Sequence, residues 1–556
     1  MSAEKLKGWE QFFILHPLYF GLFPILFFYA TYAMLQMPPD VLVIPLAVQV
    51  IASTVVYIFF LGIQRFKNPE VAAIQSSAFW TAFYTLTYIL ILDKALSIFG
   101  LENLLRVSIP IVIAGVWTIL LSLICVMVIK KGPSHKITLI LNDAGRFLVI
   151  LEILVIVGHQ LLVNFMWEPQ TGKLFSAQDN LIFRDSLKAV QKLDSKKPLD
   201  VYFILVDEFP SNFVLKQFYN YDNKPFLAAL EKRGFVVAEQ AHSNYPRTML
   251  TLPSMLNMTY LNELASICGK DTTDWSLVGI LTRKARAIEL FKKAGYEYIH
   301  FGSATPPTDW NPYAQINFPC TYINTFTTKL ILSSLPGLFS QTHEFLDRDE
   351  RQQRLDVLSG AAQVPKVKGK KFIFVHLLMP HEPFIFGPNG EPVHAKEAVD
   401  GEQWSKETQR GFRDQAIFLE SKLLETIDLI LVKSDQRPII IIQGDHGPNS
   451  RGFLTTPNPN KDVLVERYGI LSAYLLPENL RSSVYDTISP VNVFRIILND
   501  QLGTTFSNLV DTSYYSPFPY LCRFVDVTKQ IKAQENILNP KSSLIPPGMP
   551  EQAHDR

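Results

Sequence analysis

Residues 200–208, Asp-Val-Tyr-Phe-Ile-Leu-Val-Asp-Glu, set the architecture of the larger part of this 556-residue chain. The run from Val201 to Val206 is apolar without alternation, which is typical of a strand buried on both faces of a sheet. Similar runs follow along the chain, and amphipathic segments separate them. Strands are predicted at 200–206, 234–238, 296–301, 371–377 and 437–443, and helices at 226–233, 283–294 and 410–432. This alternation predicts an α/β domain with a mainly parallel sheet sandwiched by helices.

Three of these strands end in clusters of polar residues. The first strand runs into Asp207 and Glu208. The strand at 371–377 contains His376 and is followed by Met379-Pro-His-Glu-Pro-Phe384, and the strand at 437–443 runs into Gly444-Asp-His-Gly447. Ligands of open parallel sheets bind beyond the carboxyl ends of the strands. We therefore expect the three clusters, although distant in the chain, to meet along one edge of the sheet.

Asp207, Glu208, Asp445 and His446 offer carboxylate oxygens and one imidazole nitrogen as metal ligands. This mixture suits one divalent metal ion, with Mn²⁺ or Zn²⁺ favoured over Mg²⁺ because of the nitrogen ligand. Glycines on either side of the Asp-His pair allow a tight turn close to the ion. Taken alone, an Asp-His pair is typical of a surface loop and an Asp-Glu pair of a helix N-cap. Their joint occurrence at matching strand ends favours the metal site.

A candidate nucleophile lies in the segment Ser243-Asn-Tyr-Pro-Arg-Thr248. Pro246 interrupts the preceding structure, which places Thr248 near the first turn of a predicted helix. The amides and the dipole at a helix start favour an anionic phosphate, and a metal ion lowers the pKa of a bound hydroxyl. Thr248 would then attack phosphorus, or it would simply cap the helix. Arg247 would either neutralise phosphate oxygens or face solvent.

The first 165 residues contain five apolar stretches. They lie at 13–35, 41–61, 78–92, 107–128 and 147–163. Crossing a hydrocarbon core takes about 20 apolar residues, so these stretches predict a transmembrane domain at 1–165 rather than a soluble helical domain. Basic residues before the first stretch and after the second and fourth predict a cytoplasmic amino terminus. Five crossings then put the remainder outside the cytoplasm.

Three further segments follow the predicted transmembrane domain. We expect a juxtamembrane helix and linker at 166–198, an extracytoplasmic catalytic domain at 199–528, and a loosely ordered tail at 529–556 that is rich in Pro, Lys and Gln.

Composition excludes two further classes of protein. Lys and Arg number 52 against 51 Asp and Glu, so the general basic surface of a nucleic-acid-binding protein is absent. Four cysteines are too few for a disulfide framework. One bridge, for example Cys268 to Cys320, and a set of buried thiols are both compatible with the sequence.

The strand-end clusters and the nucleophile segment resemble the alkaline phosphatase superfamily. They resemble in particular its sulfatase-like, membrane-anchored phosphoethanolamine and phosphoglycerol transferases, which include the lipoteichoic acid synthases. The matching motifs are Thr248-Met-Leu-Thr-Leu-Pro-Ser-Met255, Asp445-His446 and the Pro-His-Glu-Pro-Phe sequence around His381. The resemblance implies that Glu208, assisted by Asp207, is the first metal carboxylate and that Thr248 is the nucleophile. It also implies that His381 is a substrate-side histidine, with His376 as its neighbour.

The resemblance implies a metal-dependent transferase of the bacterial inner membrane. It would move a phosphate-linked head group from a membrane phospholipid to an envelope glycan or lipid acceptor through a phosphothreonine. Sulfate ester hydrolysis is disfavoured, because no cysteine occurs in 243–255 to be converted to formylglycine. A membrane-anchored phosphodiesterase, phosphatase or sulfatase-like hydrolase, and an inactive membrane scaffold, are the alternatives.

Overall fold

The computed structural model describes residues 14–34, 37–84, 86–87, 135–190, 198–303, 305–318, 323–393, 403–452 and 454–539. The chain divides into two compact units. The first unit comprises residues 1–166 and 322–349, and the second comprises 167–321 and 350–556. The segment 322–349 therefore interrupts the sequence of the second unit and packs with the first, an excursion that the sequence does not reveal.

The first unit is helical in the part of the chain that the structure describes. Its α-helices are His16–Phe28, Val43–Ile63, Pro69–Phe83, His135–Leu161, Thr325–Leu332 and the first part of Ser340–Ala361. A Cβ added to Gly145 would overlap the side chain of Tyr19, so glycine lets two of these helices approach closely. Oδ1 of Asn142 accepts hydrogen bonds from the backbone N–H of Leu15 (3.0 Å) and His16 (2.7 Å). This side chain satisfies amides that would otherwise be unpaired at a helix start.

Two helices of the first unit are long and apolar enough to cross a membrane, by length and composition alone. They are Pro39–Ile63 and His135–Leu174. They contain two of the predicted apolar stretches, 41–61 and 147–163. The predicted stretch 107–128 and the end of the stretch 78–92 lie outside the described residues. The number of five spans therefore stays a prediction.

The second unit is built on a seven-stranded sheet in the order β2-β7-β6-β1-β5-β3-β4. The strands are β1 (Val201–Val206), β2 (Val236–Val237), β3 (Glu297–Phe301), β4 (Ile316–Phe318), β5 (Lys371–Leu377), β6 (Ile439–Gly444) and β7 (Ser472–Leu475). The five strands from β6 to β4 are parallel neighbours, whereas β7 and β2 are antiparallel additions at one side. The predicted α/β fold with a mainly parallel sheet is confirmed. The strand predicted at 234–238 forms only as the short β2, because it pairs with β7 over two residues.

Both faces of the sheet are covered by hydrophobic layers. Alternate residues of β1 enter different layers: Tyr202, Ile204 and Val206 on one side, and Val201, Phe203 and Leu205 on the other. Each of these residues is at most 1% exposed. The helices of this unit include Asn212–Tyr219, Lys224–Lys232, Thr248–Asn257, Leu264–Cys268, Ser276–Arg283, Arg286–Lys293, Lys406–Lys433, Lys461–Tyr468, Glu478–Arg481 and Pro490–Leu502. Burial at about 1.5–3 kcal/mol per large apolar side chain is the main force that holds these layers together.

A further helix, Ala177–Ala189, lies in the segment predicted as juxtamembrane. Ser176 caps it by accepting a hydrogen bond from the N–H of Asp179 at 3.0 Å. The carboxylate of Asp179 forms two hydrogen bonds with the guanidinium of Arg495, at 3.2 and 2.8 Å. Arg495 is 1% exposed and also donates to the carbonyl of Met258, the residue that ends the Thr248–Asn257 helix. A buried ion pair therefore joins this helix to the core of the second unit.

The sequence predicts a loosely ordered tail from residue 529, and this prediction is wrong for its first part. A helix spans Thr528–Leu538. Ile531 is 1% exposed, and Gln534 donates to Asp462 at 2.9 Å. A single buried isoleucine in a segment rich in Lys and Gln gives too weak a pattern to be recognised from sequence, because its partners lie far along the chain.

The cysteines offer a pairing different from the one that the sequence suggests. Sγ of Cys268 lies 4.0 Å from Sγ of Cys522, and both are free thiols in this structure. Cys125 and Cys320 lie outside the described residues, so the suggested pair of Cys268 with Cys320 stays a prediction.

Candidate active site

The carboxyl ends of β1, β5 and β6 lie level at one edge of the sheet. Val206 is in register with Leu377 of β5 and with Gly444 of β6. The residues that follow β1 and β6, Asp207 and Asp445, therefore emerge beside each other. The backbone N–H of Asp207 continues the ladder by donating to the carbonyl of Leu377 at 3.0 Å. The parallel register thus brings residues separated by more than two hundred positions to one place.

Asp207, Asp445 and His446 present one ligand atom each within 4.8 Å of one another. Nε2 of His446 is 3.2 Å from Oδ2 of Asp445 and 3.9 Å from Oδ1 of Asp207. Both of these carboxylate oxygens are buried and have no hydrogen-bond partner in the described part of the chain. Buried polar atoms in folded proteins are almost always paired, so two unpaired acceptors side by side indicate a missing positive partner.

The protonation of His446 follows from the contact of its other ring nitrogen. Nδ1 lies 3.1 Å from the carbonyl oxygen of Gly447, which can only accept, so Nδ1 carries the proton. Burial and the guanidinium of Arg467 lower the pKa of His446 well below its usual value. Nε2 is therefore a lone-pair donor that faces the two unpaired carboxylate oxygens. A set of two oxygens and one imidazole nitrogen fits a divalent cation of the Zn²⁺ or Mn²⁺ type.

The two carboxylates differ in their ease of ionisation. Burial, together with the charge of Asp207, raises the pKa of Asp445 well above its usual value. Burial also opposes the ionisation of Asp207, but His381 and His376 outweigh it and lower the pKa of that carboxyl. Two carboxylates in one dry site cannot both ionise without a cation. Cation binding at this pair would therefore be coupled to the release of a proton.

Thr248 is the first residue of the Thr248–Asn257 helix and directs its hydroxyl towards the same cluster. Its Oγ1 lies 3.1 Å from Nε2 of His446. The cap position belongs to Arg247, whose extended backbone accepts hydrogen bonds from the N–H of Leu250 (3.0 Å) and Thr251 (2.9 Å). The hydroxyl of Thr248 is thus not engaged in capping the helix.

Two side chains hold the loop before Thr248 against the sheet edge. Oγ of Ser243 contacts the carbonyl oxygen of Asp445. Nε of Arg467 donates to the carbonyl of Pro246 at 2.7 Å. Because these anchors bind the backbone on both sides of the loop, the position of the Thr248 hydroxyl is set by the same residues that form the cluster.

Glu208 lies beside the cluster, but its carboxylate is bound to an arginine. Oε1 accepts a hydrogen bond from Nη1 of Arg467 at 2.8 Å, and both side chains are less than 10% exposed. The backbone of Glu208 adopts a left-handed conformation with φ of 62° and donates from its N–H to Oδ1 of Asp445 at 3.1 Å. The structure therefore places Asp207, rather than Glu208, in the three-ligand group.

Sequence reasoning missed Arg467. It lies near the end of the Lys461–Tyr468 helix and also donates to the carbonyl of Gly447 at 2.6 Å. No recognisable motif surrounds it, since its partners come from three separate segments of the chain. Its guanidinium therefore connects three parts of the site: the loop before Thr248, the turn at Asp445 and His446, and the adjacent carboxylates Asp207 and Glu208.

The glycines that flank the Asp-His pair are required by close backbone approach. A Cβ on Gly447 would collide with the carbonyl oxygen of Glu466, and a Cβ on Gly444 with that of Phe209. The N–H of Gly447 donates to the carbonyl of Arg467 at 2.8 Å. Glycine at these positions therefore lets the turn pack against the helix that carries Arg467.

The two predicted substrate-side histidines have different surroundings. His376 is 2% exposed and bridges Asp207, at 3.2 Å from Nε2, and Thr308, at 2.8 Å from Nδ1. It therefore orients a carboxylate of the cluster. The side chain of His381 is 33% exposed, and its Nδ1 donates to the carbonyl of Glu382 at 2.7 Å. Its Nε2 lies 4.0 Å from Oε1 of Glu208, so this ring borders the cluster and reaches the surface.

The charge of His381 is set by opposing effects. Burial lowers its pKa, but the carboxylates of Glu208 and Asp207 outweigh burial and raise the pKa to about 9. His381 is thus the protonated histidine beside the cluster, whereas His446 is neutral.

Arg247 lies next to Thr248 but is not bound to the three-ligand group. Its Nη1 is 3.4 Å from Oγ of Ser516, and its guanidinium stacks near the rings of Trp275 (5.7 Å) and Phe518 (5.5 Å). Nη2 is buried without a hydrogen-bond partner. Burial, reinforced by the charge of Arg467, lowers the pKa of Arg247 to about 10, so it remains charged near neutral pH. An unpaired cationic donor next to a nucleophile suits the recognition of an anionic substrate group.

The sulfatase family model matches residues 200–474, a range that contains all of these site residues. This sulfatase match makes the chain an enzyme of the alkaline phosphatase superfamily. The family that the sequence motifs resemble is thereby confirmed, and residues 200–474 are called the sulfatase-family domain below.

Similar solved structures include phosphoethanolamine transferases and sulfatases. The periplasmic domain of EptC from Escherichia coli, in complex with zinc, is 15% identical, covers 60% of this chain and 93% of its own, and gives a TM-score of 0.41. The soluble domain of the lipooligosaccharide phosphoethanolamine transferase A from Neisseria meningitidis is 15% identical, with coverages of 55% and 88% and a TM-score of 0.33. BT1596, a 2-O GAG sulfatase, is 11% identical, with coverages of 59% and 74% and a TM-score of 0.37. No curated protein matches the chain in sequence.

Proposed function

We propose that this protein transfers a phosphate-linked head group, of the phosphoethanolamine or phosphoglycerol type, from a membrane phospholipid to an envelope glycan or lipid acceptor. The observation that carries the proposal is the 3.1 Å contact between Oγ1 of Thr248 and Nε2 of His446, at a cluster of three potential metal-ligand residues. A threonine hydroxyl is a nucleophile for phosphorus. The formylglycine that sulfatases use for sulfate esters has no precursor at this position.

Asp207, Asp445 and His446 would hold one divalent cation, with Zn²⁺ or Mn²⁺ favoured by the mixed oxygen and nitrogen donors. When bound, the ion would supply Lewis-acid polarisation of phosphate oxygens and a lower pKa for the Thr248 hydroxyl. Glu208, in contrast to the expectation from the family resemblance, would act through Arg467.

In the first step, Oγ1 of Thr248, which releases its hydroxyl proton to solvent, attacks the phosphorus of the donor phosphodiester. The bond from Oγ1 to phosphorus forms, and the bond from phosphorus to the glycerol oxygen of diacylglycerol breaks. His381 borders the cluster and supplies the proton that the leaving oxygen needs. Nη2 of Arg247, which has no hydrogen-bond partner among the described residues, binds a phosphate oxygen and orients the head group.

In the second step, a hydroxyl of the acceptor attacks the phosphothreonine. The bond from phosphorus to Oγ1 of Thr248 breaks, and Oγ1 takes a proton from solvent, which regenerates the threonine hydroxyl. The acceptor proton passes to His381, which lost its own proton in the first step, so the enzyme returns to its starting state.

The helical first unit supports a multi-pass protein of the bacterial inner membrane, with a cytoplasmic amino terminus and a periplasmic sulfatase-family domain. A donor lipid released as diacylglycerol stays in the bilayer, which explains why this chemistry would be attached to membrane helices. The two long apolar helices of the first unit support this location.

A covalent adduct on Thr248 is the decisive test. The purified full chain is loaded with Zn²⁺ or Mn²⁺, incubated with phosphatidylethanolamine or phosphatidylglycerol vesicles without acceptor, acid-quenched and digested. Mass spectrometry of the peptide that contains Thr248 should show the mass of one head-group phosphate. Thr248→Val removes the hydroxyl with little change of shape and should give no adduct, whereas Thr248→Ser should retain a reduced amount.

The same experiment separates the alternative functions. A phosphodiesterase would release free phosphorylated head group even when acceptor is present, and an inactive scaffold would produce neither adduct nor product. Absence of an adduct with both donors, under conditions in which the metal is bound, would overturn the transferase proposal.

A further inference from the structure

The excursion at 322–349 carries an apolar surface that the chemistry described above does not use. The helix Thr325–Leu332 buries Phe326, at 0% exposure, and Leu330 in the hydrophobic cluster of the first unit. The ring of Phe326 lies 5.9 Å from the rings of both Phe28 and Tyr29. The same cluster contains Val149 and Ile156 of the long apolar helix at 135–174, so the excursion shares one hydrophobic core with that helix.

A second contact fixes the end of this helix. Oγ1 of Thr87 donates to the carbonyl of Ser333 at 2.9 Å. Asn324 caps its start by accepting from the N–H of Thr327 at 2.9 Å. The excursion is therefore a folded part of the first unit, with both ends of its helix satisfied.

The residues that follow this helix turn apolar side chains outwards. Leu335, Leu338 and Phe339, in and beside the 3₁₀ turn Leu335–Leu338, are 40%, 45% and 55% exposed. Phe345 is 57% exposed. Four large apolar side chains exposed within eleven residues form a patch of the kind that marks an interaction surface.

The charge pattern indicates what covers this patch. Lys329 is the only charged residue in the sequence 325–342, whereas 344–351 contains six charged residues among eight. Such a sharp boundary between apolar and charged sequence is typical of a segment that meets the surface of a bilayer. The apolar part is shorter than the roughly 20 residues that a span requires, so it would lie in the interface rather than cross the membrane.

We propose that residues 325–339 form an interfacial lipid-binding element, in which Leu335, Leu338 and Phe339 insert at the boundary between the headgroups and the acyl chains of the phospholipid bilayer. The long apolar helix Val43–Ile63 of the same unit also exposes apolar side chains. Ile51 and Phe59 of Val43–Ile63 are 65% and 62% exposed. The element gives the sulfatase-family domain an attachment to the membrane in the middle of its own sequence. This inference does not depend on the proposed chemistry.

Quenching by brominated lipid tests the proposal in the full chain. Phe339→Trp, Phe59→Trp and Val432→Trp are reconstituted separately into phospholipid vesicles with bromine near the glycerol end of the acyl chains. Phe59→Trp serves as the lipid-facing control. Val432 is 84% exposed on the Lys406–Lys433 helix of the second unit and serves as the aqueous control. The signal of the parent chain, which has seven tryptophans, is subtracted.

We expect Phe339→Trp to be quenched at least about threefold more strongly than Val432→Trp, and to emit at a shorter wavelength, because only an interfacial side chain meets the bromine. Emission at long wavelength with quenching equal to Val432→Trp would place the residue in water and overturn the proposal. Emission at short wavelength without quenching would show burial against protein and would overturn it as well. All three positions are exposed in the parent chain, so the substitutions leave the packed core unchanged.

Discussion

Nη1 of Arg467 lies 2.8 Å from Oε1 of Glu208, and this ion pair is buried beside the three-ligand group of Asp207, Asp445 and His446. Its Nε and Nη1 also donate to the carbonyls of Pro246 and Gly447, and its Nη2 lies 3.4 Å from Nε2 of His446. It therefore binds the Glu208 carboxylate and fixes the nucleophile loop at the same time. Arg467 thus connects Glu208, the metal ligand that the family resemblance implies, to the loop that carries Thr248, the proposed nucleophile.

Removal of Arg467 should destabilise the domain and inactivate it together. Arg467→Met leaves the Glu208 carboxylate buried without a partner, which typically costs about 3–5 kcal/mol of unfolding free energy. Urea unfolding of the full chain should show this loss, and the double variant Arg467→Met with Glu208→Gln should recover part of it. Equal stability of the single and double variants would contradict a direct coupling between the two side chains.

The three-ligand group should determine metal content. Asp445→Asn or His446→Ala should lower the metal affinity of the purified full chain by at least about tenfold. Each substitution removes a direct metal ligand, and even the loss of a residue that only hydrogen-bonds to a ligand typically lowers metal affinity by about 10–100-fold. Elemental mass spectrometry after dialysis against a fixed metal concentration measures this. Asp435→Asn changes an exposed carboxylate and serves as the control. Unchanged metal content in both cluster variants would refute the site.

Loss of the Thr248 hydroxyl should abolish transfer without loss of fold. Thr248→Val should reduce the rate of head-group transfer by at least about a thousandfold, the scale seen when a catalytic nucleophile is removed. Thr248→Ser should keep measurable transfer, since it retains the hydroxyl. The unfolding free energy of both variants should stay close to that of the parent, and a Thr248→Val enzyme with near-parent turnover would exclude this residue as nucleophile.

The buried pair of Asp179 and Arg495 should stabilise the second unit far more than a surface pair does. These side chains are 11% and 2% exposed, so Asp179→Asn should cost about 3 kcal/mol or more. Asp222→Asn, which breaks a pair with Lys216 at 46% and 50% exposure, should cost less than about 1 kcal/mol. Urea unfolding of the two variants compares them directly, and similar losses would contradict a specific role for the buried pair.

Glu420 should make stability depend on pH. Burial is the main cause that raises its pKa from 4.5 to about 7, although hydrogen bonds from Tyr221 and Asn223 oppose it. Because the folded state favours the protonated form, the stability that this carboxyl contributes is complete below its unfolded pKa and is lost as pH rises through 7. Between pH 5 and 8 the parent should lose about 2 kcal/mol relative to Glu420→Gln. Glu425→Gln, at an exposed position, should follow the parent.

Much of the fold was predictable because the relevant signals are local. The apolar runs of β1, β5 and β6 identify buried strands, and parallel strands necessarily end at one edge. That rule brings Asp207, His376 and Asp445 together without knowledge of any contact. The Thr248 segment was also predictable, since Pro246 and the following apolar residues mark a helix start.

The remaining features depend on partners that are far apart in the chain. Glu208 and Asp207 are adjacent carboxylates, and only the left-handed backbone of Glu208 and its pairing with Arg467 separate their roles. Arg467 itself lies in a helix whose sequence has no motif. The helix around Ile531 and the excursion around Phe326 are likewise stabilised by distant side chains.

The sequence by itself determined the strand and helix alternation, the polar strand ends and the family, because each of these is written in short runs of neighbouring residues. Only the tertiary structure decided which carboxylates lie near His446 and that Arg467 holds the nucleophile loop. It alone also decided that residues 322–349 pack in the first unit. The physical reason is that charge pairing and side-chain burial depend on distance in space, and contacts between residues hundreds of positions apart leave no local pattern in the chain.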